Sequence, residues 1–190
     1  LVLLAKNLAG YHNLIKLVSI ASIDGFYYKP RVDKDLLKQY SEGIIALTAC
    51  LGGEISQKIV NDGELKAEEA LQEYKDIFGD DLYLELQRHP TGDPEMDKKV
   101  FDDQVYVNKA LLKFGEKLGV KVVATNDSHF VNAEDAGAHD RLICIGTAKD
   151  LDDPNRWRYT KQEWFKTQAE MHELFSDIPQ ALENTKEVAD

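Results

Sequence analysis

Five side chains stand out for the chemistry they can do: Asn7, Cys50, His89, Asp127 and His129, each placed directly after an apolar run with the composition of a β-strand. Thiolate, imidazole and carboxylate are donors that hold zinc, manganese and related divalent ions. Asn126-Asp127-Ser128-His129 is the sharpest motif. Residues two apart in an extended segment point the same way, so Asp127 and His129 can ligate one ion together. The alternative is that Asp127 caps the following helix and His129 packs or hydrogen-bonds in the loop. Cys50 offers a thiolate, or else fills its strand end as a small apolar side chain.

The remaining candidates are weaker. His89 closes Glu85-Leu86-Gln87-Arg88-His89 and ranks behind His129. His139, near the start of the helix after the Asp-x-His motif, is a helix-packing residue or a partner that orients a ligand. With Asn126, these two form a near-site group. Cys144, among Leu142, Ile143 and Ile145, reads as structural, and His12 and His172 as structural or surface residues of amphipathic helices. Arg156-Trp157-Arg158-Tyr159 with Lys161 interleaves basic and aromatic residues, a composition suited to phosphate contact and base stacking. Arg156 and Arg158 are therefore candidates for nucleic-acid contact, the alternative being a surface loop pinned by Trp157.

These residues must be positioned by strand ends. Four β-rich runs, residues 1–5, 43–48, 82–87 and 121–124, recur along the 190 residues, each followed by a helical pattern. The helical patterns cover 7–23, 33–40, 52–61, 64–78, a single long helix over 94–118, and 134–145, with a loop at 27–30. Near-continuous apolar strands alternating with helices predict an α/β fold with a parallel sheet. In such folds ligands gather beyond the carboxyl ends of the strands. The chain then changes character: an irregular polar stretch at 150–159 precedes helices from about 168 and 179. Thr167 and Glu170 form a capping box. Residues 1–150 thus read as strand–helix units and 151–190 as a helical tail.

The formal charge of -11 disfavours a nucleic-acid groove spread over the surface, so any DNA contact must be local. No apolar run reaches membrane-spanning length and no signal peptide is evident, so no membrane is expected. Two cysteines far apart, without a Cys-x-x-Cys pattern, fit a reducing cytoplasm. The absence of an initiator Met before the apolar run Leu1-Val2-Leu3-Leu4 reads as a longer natural protein.

Three motifs, Leu3-Leu4-Ala5-Lys6-Asn7 to Gly10-Tyr11, Cys50-Leu51-Gly52-Gly53-Glu54-Ile55 and Ala124-Thr125-Asn126-Asp127-Ser128-His129, resemble bacterial polymerase III alpha subunits in order and spacing. Leu151-Asp152-Asp153-Pro154, Leu174-Phe175 and Ile178-Pro179-Gln180-Ala181-Leu182-Glu183-Asn184-Thr185 extend the resemblance to essentially the whole chain. It implies part of a PHP (polymerase and histidinol phosphatase) domain, a distorted β/α barrel with a metal cluster at its strand ends, and a tail leading towards the polymerase core. Cys50, Asp127 and His129 map onto ligand positions for zinc or manganese. The family's His-x-His motif and further ligands would lie upstream of Leu1. The polymerase carboxylates, served by magnesium, would lie downstream of Asp190, so this segment alone is expected to be inactive. The resemblance implies DNA and other replicative holoenzyme subunits as partners. It leaves two roles: metal-dependent 3′–5′ exonuclease proofreading, or a non-catalytic scaffold that docks a proofreading exonuclease subunit. A stand-alone phosphoesterase of the histidinol phosphatase type is a third reading.

Overall fold

The computed structural model describes residues 1–190. Its centre is a four-stranded sheet in which β1 (Val2–Ala5), β2 (Ile44–Leu47), β3 (Leu82–Leu86) and β4 (Lys121–Ala124) lie side by side in chain order. β2, β3 and β4 are parallel, whereas β1 is antiparallel to β2, with Ala5 opposite Ile44.

The direction of β1 corrects the expectation of a parallel sheet. Helix α1 (Leu8–Ile23) leaves the end of β1, and the loop 24–33 with α2 (Lys34–Gln39) brings the chain back to that same end. There the Lys6 N–H donates to the Gly43 carbonyl at 2.8 Å. The return is tight enough to require glycine: a Cβ on Gly10 would sit 1.8 Å from the Gly43 oxygen, and Gly43 itself has φ +71°. Asn7 consequently lies at the opposite end of the sheet from Cys50, His89 and Asp127. Its side chain accepts from the Gly10 N–H at 3.0 Å as the N-cap of α1.

From β2 onward the connections cross over as expected. Helices α3 (Glu54–Asn61) and α4 (Glu64–Phe78) join β2 to β3; Gly63 and Gly79, both with positive φ, bound α4. The single helix expected over 94–118 is two, α5 (Pro94–Asp97) and α6 (Phe101–Leu118). At the break the chain tightens to bonds three residues apart, from the Lys99 N–H to the Met96 carbonyl and from the Val100 N–H to the Asp97 carbonyl, while the Asp97 carboxylate accepts from the Thr91 N–H (2.7 Å) and hydroxyl (2.6 Å). Then come β4, α7 (Ala136–Thr147), a polar stretch, α8 (Gln168–Leu174) with the Thr167–Glu170 capping box, and α9 (Pro179–Ala189).

Strand alternation divides the core. Leu82, Leu84 and Leu86 join Ile55, Ile59, Leu71, Leu111 and Phe114 in the main cluster, while Ile45, Leu47, Tyr83 and Val123 form a smaller one with Val188. Each such side chain, fully buried, stabilises by about 1.5–3 kcal/mol. The tail shares this core. Phe175 and Ala181 are fully buried in the main cluster. Arg88 grips the end of α8 through the Leu174 carbonyl (2.8 Å) and both carboxylate oxygens of Asp177 (2.6 and 2.9 Å). Asn184 donates to the Val122 carbonyl at 2.8 Å, so α9 covers β4.

Candidate metal centre

Cys50, Asp127 and His129 lie beyond the carboxyl ends of β2 and β4. The two loops that carry them are both left-handed at one residue, Ala49 with φ +65° and Asp127 with φ +46°, conformations that cost energy for a residue with a side chain. The Asp127 turn changes the geometry assumed for the Asp-x-His motif. The segment is not extended, so alternation does not bring residues 127 and 129 to one side. The Asp127 carboxylate instead stands beside Cys50: burial and then this negative neighbour raise the thiol pKa.

His129 is exposed at the rim. Its Nδ1 lies 2.6 Å from the Asp127 carbonyl, which can only accept, so Nδ1 carries the proton and Nε2 the lone pair. That is the tautomer a metal-ligating imidazole uses, with its second nitrogen fixed by a carbonyl. Nε2 takes a hydrogen bond from the Tyr159 hydroxyl at 2.9 Å. His139 packs against His129, Phe130 and Tyr159, with ring centroids 5.7, 5.2 and 5.1 Å away. No three His, Cys, Asp or Glu side chains converge on one point. The donor types fit a divalent ion, and Cys50 and Asp127 are near enough for the carboxylate to raise the thiol pKa.

Beneath the rim lies a buried polar layer. The His89 N–H donates to Gln104 Oε1 at 2.8 Å, which fixes the amide so that its NH2 faces His89 Nδ1 at 3.0 Å. Nδ1 is therefore the acceptor, and Nε2–H donates to the Asn126 carbonyl at 3.0 Å. Asn126 in turn donates to the carbonyls of Gln162 (3.0 Å) and Trp164 (2.7 Å), while the His129 N–H donates to the Glu163 carbonyl at 2.8 Å. Residues 160–165 thus strap the Asp-x-His loop in place. Glu163 Oε1 lies 3.7 Å from His89 Nδ1, close enough to pair if the ring were charged. Burial, the larger influence, lowers the His89 pKa against the pull of that carboxylate, and the Gln104 NH2 at Nδ1 leaves no room for a second proton.

A buried neutral histidine has a pH signature. Its depressed native pKa means that the unfolded chain takes up a proton first, so the stability it contributes above about 6.5 is lost as pH falls. Thermal melts between pH 7.5 and 5.5 should show wild type losing stability more steeply than His89→Gln. Parallel curves would mean that His89 is not held neutral.

Arg156 and Arg158 are both engaged by groups of the chain itself. Arg156 forms a two-pronged pair with Asp140 (2.5 and 2.7 Å), and Arg158 donates to the Asp153 carbonyl at 2.9 Å, bracing its own loop. Trp157 is exposed and does not pin the loop. Glu85 and Tyr159 are the two site residues that motif reading passed over. For Glu85 the signal was present: a lone charge inside Leu82-Tyr83-Leu84-Glu85-Leu86. Burial raises its pKa, with the Asp127 charge adding to the effect and the Thr125 and Ala49 hydrogen bonds opposing it.

The sequence of residues 1–89 matches the PHP domain family model. Along its full length the chain is 48% identical to the DNA polymerase III subunit alpha of Borreliella burgdorferi, 43% to that of Thermus aquaticus and 41% to that of Helicobacter pylori. It spans 16%, 15% and 16% of those proteins, about a sixth of the length of the curated relatives it matches. With such identity over its whole length, the chain belongs to the bacterial DNA polymerase III alpha subunit family, and its residues 1–89 lie in the PHP domain.

Proposed function

We propose that this segment supplies Cys50, Asp127 and His129 to a metal centre that removes 3′ nucleotides from DNA, within a replicative polymerase whose nucleotide addition, with magnesium, belongs to the rest of the protein. The observation that carries the reading is the placement of Cys50 and Asp127 just beyond the carboxyl ends of the parallel strands β2 and β4, where α/β folds place their chemistry. Thiol, imidazole and carboxylate suit zinc, and manganese is the alternative ion. When bound, such an ion lowers the pKa of a coordinated water and offsets charge on a phosphodiester. The chain's own residues set the stage for it. The Asp127 carbonyl fixes the His129 tautomer and the 160–165 strap keeps the loop from opening, while Tyr159, whose hydroxyl occupies the Nε2 lone pair here, would have to turn aside for His129 to take an ion. DNA and other replicative subunits are the partners this role requires. No helix is long and apolar enough to cross a membrane. The proposed replicative role would be carried out in the bacterial cytoplasm.

A second reading, a scaffold that docks a proofreading exonuclease, is favoured by the outer face of α1. There Leu8 and Val18 are 70% and 63% exposed, with Tyr11 and Ile15 between them. One experiment separates the two. The full-length protein, purified without chelator, should contain zinc or manganese and release 3′ nucleotides from single-stranded DNA, and should lose both after dialysis against chelator. A full-length protein that takes up neither ion yet co-elutes with an exonuclease subunit is a scaffold.

A further inference from the structure

One side chain touches both loops that carry the Cys50–Asp127 pair. Glu85 is 8% exposed, on the central strand β3 between β2 and β4. Its Oε2 accepts from the Ala49 N–H at 2.5 Å, immediately before Cys50. Its Oε1 accepts from the Thr125 hydroxyl at 2.9 Å, two residues before Asp127. Gln87, two residues on along the same face, donates to that hydroxyl oxygen at 3.1 Å, which directs the Thr125 proton towards Glu85. The Glu85 N–H donates to Thr48 Oγ1 at 2.9 Å, so the contact with the β2 end is doubled.

We infer that Glu85 is a positioning residue for the Cys50–Asp127 pair, holding the ends of β2 and β4 at the separation at which thiol and carboxylate face each other. Both oxygens are engaged by the loops, so Glu85 is not itself a ligand in this arrangement. Burying a carboxylate is costly unless hydrogen bonds compensate. The partners that compensate here are the Ala49 N–H and the Thr125 hydroxyl, on the two loops that bear the site and turn through left-handed residues, Ala49 and Asp127. Such residues persist only where their surroundings hold them. The functional consequence of this role rests on the metal reading above; the positioning itself does not.

The test uses the full-length protein with Glu85→Ala and Glu85→Gln, the second keeping the shape and an acceptor for the Ala49 N–H. Amide hydrogen exchange in metal-free protein reads local opening directly. In Glu85→Ala, exchange across residues 49–53 and 125–129 should quicken by roughly tenfold or more, while α6 remains protected. Affinity for added zinc or manganese should fall about 10–100-fold, the usual cost of losing a residue that orients ligands. Glu85→Gln should restore both to near wild type. Local loosening with rescue by Gln supports the role even if wild type takes up no metal, so the positioning and the metal centre fail separately. Exchange that is unchanged, or raised equally through α6, overturns it. Damage by Glu85→Gln as severe as by Glu85→Ala also overturns it, because the amide can still accept from the Ala49 N–H and donate to a rotated Thr125 hydroxyl, so contact with the two loops would then not be what matters.

Discussion

In the full-length protein, His129→Ala should lower metal-dependent removal of 3′ nucleotides by about 10²–10³-fold and leave nucleotide addition intact. The size follows from the several kcal/mol that a fixed ion supplies to a transition state, at about 1.4 kcal/mol per factor of ten. The loss should be visible first in metal content, because the imidazole is a donor before it is anything else. His129 is exposed and its ring fills no cavity, so the fold should survive with a nearly unchanged melting temperature. The removed ring also frees the Asp127 carbonyl, so residual metal should bind more loosely rather than shift to another ligand set. Wild-type metal content together with a wild-type rate would remove His129 from the site and leave its contact with Tyr159 as mere packing.

Phe175→Ala should be the most destabilising single change in the tail, at about 3–5 kcal/mol. Phe175 is fully buried in the main core, and the Arg88 guanidinium lies 4.9 Å from its ring centroid. Truncation would open a cavity and leave Arg88 without its aromatic floor, although its pair with Asp177 would remain. For a chain of this size each kcal/mol moves the melting temperature by about 2–4 °C, so a fall of roughly 10 °C is expected in a thermal melt. A loss below about 1 kcal/mol would show that α8 and α9 do not share the core with the sheet.

The elements were legible where local chemistry decides them. Residues 64–78 lie between two glycines with positive φ, and the observed helix Glu64–Phe78 fills that interval. Lys121–Ala124 is a short apolar run after Gly119, and β4 has those bounds. What was not legible depends on distance. Whether β1 runs with or against β2 is set by how far α1, its loop and α2 carry the chain before Gly43, and no single residue encodes that path. The break after Asp97 is a tightening to bonds three residues apart at residues 99 and 100, which helical periodicity over 94–118 does not reveal. Strand-end placement put Cys50 and Asp127 on one side of the sheet, beyond β2 and β4, and the structure has them there. The motif's apparent extended spacing hid the left-handed turn at Asp127, because asparagine and aspartate tolerate that conformation without a glycine to mark it. The charge of Glu85 was plain in the sequence, but its meaning required knowing that β2 and β4 flank it.

The two margins of the sheet are unequal. On the β4 side, the Asn184 amide occupies the Val122 carbonyl and α9 lies across the strand. On the β1 side the backbone is open, and Leu1, Val2 and Leu4 are all about 40% exposed. The sheet therefore has a polarity of growth: a further strand can be added next to β1 but not next to β4. Since β1 is the antiparallel member, a newcomer meets a strand running against the three that carry the site. One that ran antiparallel to β1 would share the direction of β2, β3 and β4 and bring its carboxyl end to the side of the sheet where Cys50 and Asp127 lie.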